Sequence, residues 1–430
     1  MKKLLLLAVL LAEIAGSAFS QISNGESDGV EAGGKTVGES VPAVITSVSA
    51  SGLKRTKVQV AEKALRRFIG KDAASLDLDQ VRACIIDTGI LEPLSVDVLD
   101  DSGGKGKILS VQVREKWAIF PVPIFFADSS GIAAGGAFYD GNAFGMNHQM
   151  AIAGLYQTGG MVFTGFYMVP AADTGSFGWN LIFLYTQEKR RDSDERGNAL
   201  RRFNTVSITA QSGLQYRFSE TITAGFNFAY LGRMLRHTES PRLAPSSGEN
   251  ILRPGVEISA RRSNWDGYLL SEENISLGYD FGWGLDSASF QSIRLRGTYE
   301  KSLLPGFRIN SRIGALYSPD APVLFETGPE SAQINILPRS FSARNYAGLS
   351  LGLEKFLFRF PFGTLSLLGA WQMVQSQGPL FGSKNVFDYG VLGSMFFYLS
   401  RLAIPAVGIG AAYNIPAHFF QFSFMIGMTL

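Results

Sequence analysis

The sequence predicts an all-β transmembrane barrel of about 16 antiparallel strands, preceded by one small α/β domain of order β-α-α-β-β. Three observations predict it. The first is the stretch 205–230, TVSITAQSGLQYRFSETITAGFNFAY. Val206, Ile208, Ala210, Ser212, Leu214, Tyr216 and Phe218 share one parity there, and Thr205, Ser207, Thr209, Gln211, Gly213, Gln215 and Arg217 the other. After Ser219-Glu220 the alternation resumes with Ile222, Ala224, Phe226, Phe228 and Tyr230. Period two places alternate side chains on opposite faces of a sheet, one apolar and one polar. Both runs exceed the usual strand length of about five or six residues. They suit strands that cross a membrane at a tilt in roughly nine to eleven residues. A large soluble β-sandwich is the alternative for this stretch alone.

The second observation is composition. The chain of 430 residues is 46% hydrophobic and 18% charged, with 48 Gly, 32 Phe and 14 Tyr. Its mean hydropathy is slightly positive, yet beyond the N-terminus no apolar run is long enough for a membrane helix. Barrels give this profile because their apolar residues occupy alternate positions. The third observation is repetition: about 16 alternating segments follow Trp117, an even number as such barrels need. The net charge of +2 points to no particular partner, and no basic patch suggests nucleic acid.

Taken in order, Lys2-Lys3, the apolar run Leu4 to Ala12 and the small-residue site Ala18-Phe19-Ser20 read as a signal peptide over 1–20. Residues 21–42 are Gly-, Ser- and acid-rich and read as a disordered linker. Ile45 to Val48 is a short strand. Thr56 with Gln59 reads as a capping box, opening a helix with Val58, Ala61, Leu65 and Phe68 on one face. Asp77 with Gln80 caps a second helix carrying Leu78, Val81, Cys84 and Ile85, which Gly89 stops. Strands at 95–99 and 107–113 complete a small α/β domain over 43–115. Cys84 is the only cysteine, which excludes an intrachain disulfide and favours a buried thiol.

The barrel is expected over 116–430. Its segments are 117–126, 132–140, 148–157, 161–169, 178–188, 204–218, 221–233, 253–263, 273–282, 289–300, 307–317, 345–359, 364–375, 387–399, 403–413 and 419–430. Charges confined to one parity, such as Asp280, Arg294, Arg296 and Glu300, should face the lumen. An Arg facing lipid near the midplane costs roughly 2–4 kcal/mol. Arg294, Arg296, Arg308 and Arg312 form a basic strip that either solvates the lumen wall or pairs with Asp280 and Glu300. Phe420, Phe422, Phe424, Ile426, Met428 and Leu430 share one parity of the last strand.

The order of the small domain, with TGILEPLSVDVLDD leading into ILSVQVREKW, resembles a POTRA domain. That periplasmic module precedes the barrel in the BamA/TamA superfamily of outer-membrane assembly and translocation proteins. The resemblance implies a single POTRA domain in the periplasm and a barrel in the outer membrane. The first strand then runs outward, which leaves tight turns inside (219–220, 301–306, 360–363) and long charged connections outside (188–203, 234–252, 318–344). In this superfamily the sixth external loop folds into the lumen on a Val/Leu-Arg-Gly-Phe/Tyr motif. Arg339, Ser340 and Phe341 of Leu337-Pro338-Arg339-Ser340-Phe341 match it, with Ser340 departing from Gly. The resemblance makes Gln372 the first wall partner of Arg339, in place of a family acid, and Glu354 the second. The stretch Tyr139 to Gly145 is similar to the family's first periplasmic turn. The aromatic last strand is similar to the terminal signal of barrel substrates, except that it ends in Leu430.

The implied function is insertion of outer-membrane proteins, or translocation of polypeptide across the outer membrane. The implied partners are unfolded polypeptide clients, periplasmic or lipoprotein accessory factors bound through the POTRA domain, and outer-membrane lipid. A passive porin-like or structural barrel and a two-partner secretion transporter are the alternatives. Chemistry is not expected. His148, His237 and His418 lie far apart, and there is no Gly-x-Ser-x-Gly, P-loop or Cys cluster. No catalytic residue, cofactor or metal is therefore assigned.

Overall fold

The computed structural model describes residues 43–101, 106–128, 131–171, 175–239, 245, 247–266, 269–304, 306–329, 334–360, 363–377, 385–399 and 405–426. The expected signal peptide, the linker, Met428 and Leu430 lie outside them.

A three-stranded sheet and two helices form the first domain: β1 (Ile45–Ser51), α1 (Val58–Leu65), α2 (Leu78–Asp87), β2 (Leu91–Asp100) and β3 (Lys107–Glu115). The strand order is β1-β3-β2, with β1 parallel and β2 antiparallel to β3. A single connection carrying both helices leads from β1 to β2, and β3 then pairs between them, so the sheet buries one face beneath both helices. Ala61, Leu65, Phe68, Val81, Ile85, Leu109 and Val111 are fully buried in that core, and Cys84 is buried with them. Asp77 caps α2 as expected, its Oδ1 accepting from the Asp79 and Gln80 amides at 2.9 and 3.2 Å. The expected box on α1 is absent. Lys57 is its N-cap, without a side-chain bond, and Val58 is 44% exposed. The Thr56 hydroxyl serves elsewhere: it accepts from Asn142 Nδ2 at 2.8 Å.

Sixteen strands then close into one antiparallel barrel, β4 (Ile119–Asp128) to β19 (Phe419–Ile426), each paired with its chain neighbours and β19 with β4. Alternation sorts the faces. On β12 (Leu269–Gly284), Leu277, Tyr279, Phe281 and Trp283 are exposed on the outside, while Asp280 is buried inside. Asp280 accepts from Arg294 at 2.5 Å. The other expected lumen pairings also form: Arg308 and Arg312 both hold Glu300, at 3.0 and 3.2 Å. On β19, Phe420 and Phe422 are exposed outward, while Gln421 donates inward to Leu337 O at 3.2 Å.

The turn between β9 (Ala199–Arg217) and β10 (Ile222–Thr238) is tight because its own side chains close it. Ser219 Oγ accepts from the Thr221 and Ile222 amides, and the Arg217 guanidinium donates to Ser219 O and Glu220 O. Parts of two expected external loops prove to be strand. β8 (Phe177–Ser193) and β9 stay paired through most of 188–203, while 234–238 extend β10 against β9 and 249–252 begin β11 (Glu249–Asp266). Their charge density disguised a period of two that continues beyond the apolar belt.

Candidate functional site: a loop docked in the lumen

Between β14 (Phe307–Tyr317) and β15 (Asn345–Phe360) the chain leaves the wall and packs inside the barrel. Its sequence explains two attachments. The apolar run before Glu326 forms a short 3-10 turn, Val323–Phe325. Leu324 and Phe325 bury against Phe203, Leu231, Ile251 and Phe290 of β9, β10, β11 and β13 (Phe290–Leu304). The Arg233 guanidinium lies over the Phe325 ring, 4.2 Å from its centroid. Further on, Ile334, Ile336, Leu337 and Phe341 bury against Leu316, Tyr346, Val374 and Ala412 of β14, β15, β16 (Gly363–Gln377) and β18 (Pro405–Asn414). Gly348 makes this close packing possible, since a Cβ there would lie 2.9 Å from the Ile334 side chain.

A buried ionic network fixes the first attachment. Arg190, Asp192 and Arg201 lie on the lumenal parity of β8 and β9, beyond the apolar belt. Glu326 sits between cations: its Oε2 accepts from Arg201 Nη2 at 2.6 Å and its Oε1 from Arg344 Nε at 3.0 Å. Its backbone oxygen accepts from Arg190 Nη2 at 2.9 Å, and Leu324 O from Arg190 Nη1 at 3.2 Å. Asp192 bridges Arg190 and Arg201. The Glu326 side chain is 0% exposed and that of Arg201 is 1% exposed. Charges so deep persist only when paired and hydrogen-bonded.

The expected motif residues distribute around this latch. Phe341 is buried in the second cluster and bridges to Ser193 in parallel. Ser340 also joins the loop to β8: its carbonyl accepts from the Ser193 amide at 2.9 Å, and the two hydroxyls lie 2.7 Å apart. Arg339 is exposed. Gln372 holds the loop through its backbone, Oε1 accepting from Asn335 N at 2.8 Å while Nε2 donates to Ser350 Oγ at 3.1 Å. Glu354 points into the lumen, fully buried, and accepts from Arg308, Ser366 and Tyr398. It thus braces the wall of β14 to β17 (Asn385–Leu399) below the loop.

Sequence reasoning missed Arg190, Asp192, Arg201, Glu326 and Arg344. A signal existed in 188–203. Arg190 and Asp192 continue the lumenal parity of β8, and Arg201 and Phe203 that of Thr205 on β9.

The first domain meets the barrel at the turn after β5 (Gly131–Ala143), where the sequence is Asp140 to Asn147. Arg55 forks onto Asp140, at 3.2 and 2.5 Å. Lys57 N donates to Gly145 O at 2.8 Å. Gly145 has φ +70°, and a Cβ there would meet Arg55 O at 2.2 Å, so only glycine admits this approach. Glu115 arranges the other side. Its carboxylate gathers the Lys54, Arg55 and Thr56 amides at 2.6–3.0 Å. Burial pushes its pKa up, but the donations from Thr56, Arg55 and Lys54 together outweigh burial and hold it below the usual carboxylate value.

No family model and no curated protein matches the sequence. Solved structures do. A crystal structure of BamA from Haemophilus ducreyi lacking POTRA domains 1–3 superposes with a TM-score of 0.60 and 11% identity, over 90% of this chain and 84% of that one. CdiB from Escherichia coli gives 0.64 and 13%, over 90% and 77%. CdiB from Acinetobacter baumannii gives 0.61 and 12%, over 90% and 74%. At such identities the likeness is one of fold, and the chain shares with BamA and CdiB the architecture of a large closed barrel behind a small N-terminal part.

Proposed function

We propose that this protein is an outer-membrane barrel that inserts or translocates polypeptide, with its N-terminal domain acting in the periplasm as a POTRA module. The observation that carries this reading is the loop held inside the barrel by buried ion pairs, with the seam as the place to test it. Among the described residues β19 pairs with β4 at four positions, Ser423 to Asp128 through Ile426 to Phe125, against eight or more at every other barrel junction. Pro121 and Pro123 lie on β4 and offer no amide to a partner. A lumen occupied by a loop on buried ionic anchors suits a machine that opens better than a fixed pore. The outer edge of β2 adds a second support, for it has no partner strand among the described residues. An extended client or accessory segment could add there by β-augmentation.

A disulfide across the seam tests the proposal. Ala127 and Phe424 are register partners, so Ala127→Cys with Phe424→Cys in a depletion strain should lock it. The machine reading expects loss of specific outer-membrane proteins under oxidation and recovery on reduction. Full complementation by the locked barrel would favour a passive porin-like channel and overturn the proposal.

A further inference from the structure

The external ends of β8, β9 and β10 carry a second charged group, on the side opposite the latch. Along the outward parity of β8 the side chains run Leu181, Phe183, Tyr185, Gln187, Lys189, Arg191. Leu181 and Phe183 are exposed apolar residues, so the change to Gln187 and Lys189 marks the outer edge of the apolar belt. On β10 the same change falls between Met234 and Arg236, both exposed. From Phe218 to Val206 the outward side of β9 spans roughly 40 Å of strand, which at a tilt near 45° gives a belt about 28 Å tall. The basic residues therefore stand at the level of lipid headgroups.

A cavity of about 260 Å³ opens there, lined by Tyr185, Gln187, Lys189, Asn204, Arg236 and the Gly159 turn, and completed by Val206 and by Glu188 and Thr205, a register pair on the lumenal parity. Register makes it a built feature. Lys189 pairs with Asn204, and Gln187 with Val206. The hairpin of β6 (His148–Gln157) and β7 (Gly160–Val169) ends lower than β8, so its tip forms a step below Lys189. Lys189 N donates to Gly159 O at 3.0 Å. Gly159 has φ +96°, and a Cβ at Gly160 would strike Gln187 O at 1.6 Å, so two glycines press the step against β8. Among the described residues neither the Lys189 ammonium nor the Arg236 guanidinium has an ion-pair or hydrogen-bond partner. Latch cations on the other face are all engaged, which makes these two distinctive. Arg191 and Arg202 flank the cavity above; Arg202 stands 3.8 Å from Glu239.

We infer that this cavity binds a phosphate of the outer-leaflet glycolipid, the phosphorylated and acylated glucosamine headgroup, with its acyl chains lying on the belt below. Two uncommitted cations, amide and phenol groups and an adjoining apolar face match a ligand that is anionic above and hydrocarbon below. The inference rests on the outer-membrane location proposed above, but not on polypeptide transport, which the seam disulfide tests separately.

Native mass spectrometry of the detergent-purified full chain provides the experiment. Hexa-acylated bisphosphoryl lipid A, its dephosphorylated form and phosphatidylglycerol would be titrated in competition. The expected result is a lipid A adduct at least about tenfold tighter than either competitor, weakened about tenfold or more in Lys189→Ala/Arg236→Ala and retained in Lys189→Arg/Arg236→Lys. Competition on the wild-type chain alone needs no variant to fold. Equal binding of phosphorylated and dephosphorylated lipid A, an unaffected alanine variant, or phosphatidylglycerol bound as tightly as lipid A would each overturn the assignment.

Discussion

Replacing Glu326 by alanine removes the anion on which Arg201 and Arg344 converge. Asp192 still holds Arg201, so the loss falls at the lower end of the 3–5 kcal/mol typical of a broken buried pair, about 3 kcal/mol. At about 1.4 kcal/mol per decade, that shifts the ratio of docked to released loop about 150-fold. None of this touches the wall, since the β8–β9 ladder runs on backbone bonds from Phe177 to Ser193. Glu326→Ala should therefore give a barrel of normal abundance and heat-modifiable gel mobility. In planar bilayers it should show open-channel events about two orders of magnitude more often than wild type. Glu326→Gln, which keeps an oxygen acceptor but not the charge, should fall between. Bilayer records of Glu326→Ala indistinguishable from wild type would refute the idea that this network holds the loop.

Three further outcomes follow from other parts of the molecule. Gly145→Ala should separate the first domain from the barrel, raising the rate of limited proteolysis between 43 and 118 several-fold while the barrel stays heat-modifiable, because Arg55 O occupies the space a Cβ needs. Phe424→Lys should impair folding into bilayers far more than Ser423→Lys: a lipid-facing charge costs roughly 2–4 kcal/mol near the midplane, and Phe424 also packs edge-on against Phe125 across the seam, 6.1 Å between ring centroids. Glu115 has a lowered folded pKa, so its contribution is present at neutral pH and is lost as pH falls through that value, below the usual carboxylate pKa of about 4.3. Glu115→Gln should accordingly flatten the acid limb of the first domain's stability, read by hydrogen exchange at Lys54 to Thr56, and leave stability nearly pH-independent there.

The barrel was legible because its signal is local. Each strand needs only alternation, and Leu277, Tyr279 and Phe281 announce their face without reference to any other strand. The latch was not, because Glu326 meets Arg201 from 125 residues away. In isolation each of these charges reads as a solvated loop residue. The same blindness hid the role of Thr56, whose hydroxyl fits a helix cap in sequence but meets Asn142 in space. Motif matching found the right loop and the inward Phe341, and it chose Gln372, which does hold the loop. It emphasised Arg339, which is exposed, over the acid that bears the load.

The loop's two attachments have a mechanical meaning for the ring of strands around it. One attachment packs on β9, β10, β11 and β13 and the other on β14, β15, β16 and β18, on different arcs of the wall, and Ser340 and Phe341 tie the second back to Ser193 of β8. A segment fastened in this way is a tie rod across a hoop, resisting any flattening that would lengthen the span it bridges. The hoop's perimeter is set by its hydrogen-bonded ladders, but its cross-section is set by the tie. Forces that deform the first domain's docking turn at Asp140 reach the same hoop from its other rim. Stiffness in this barrel therefore resides as much in one docked loop as in its sixteen strands.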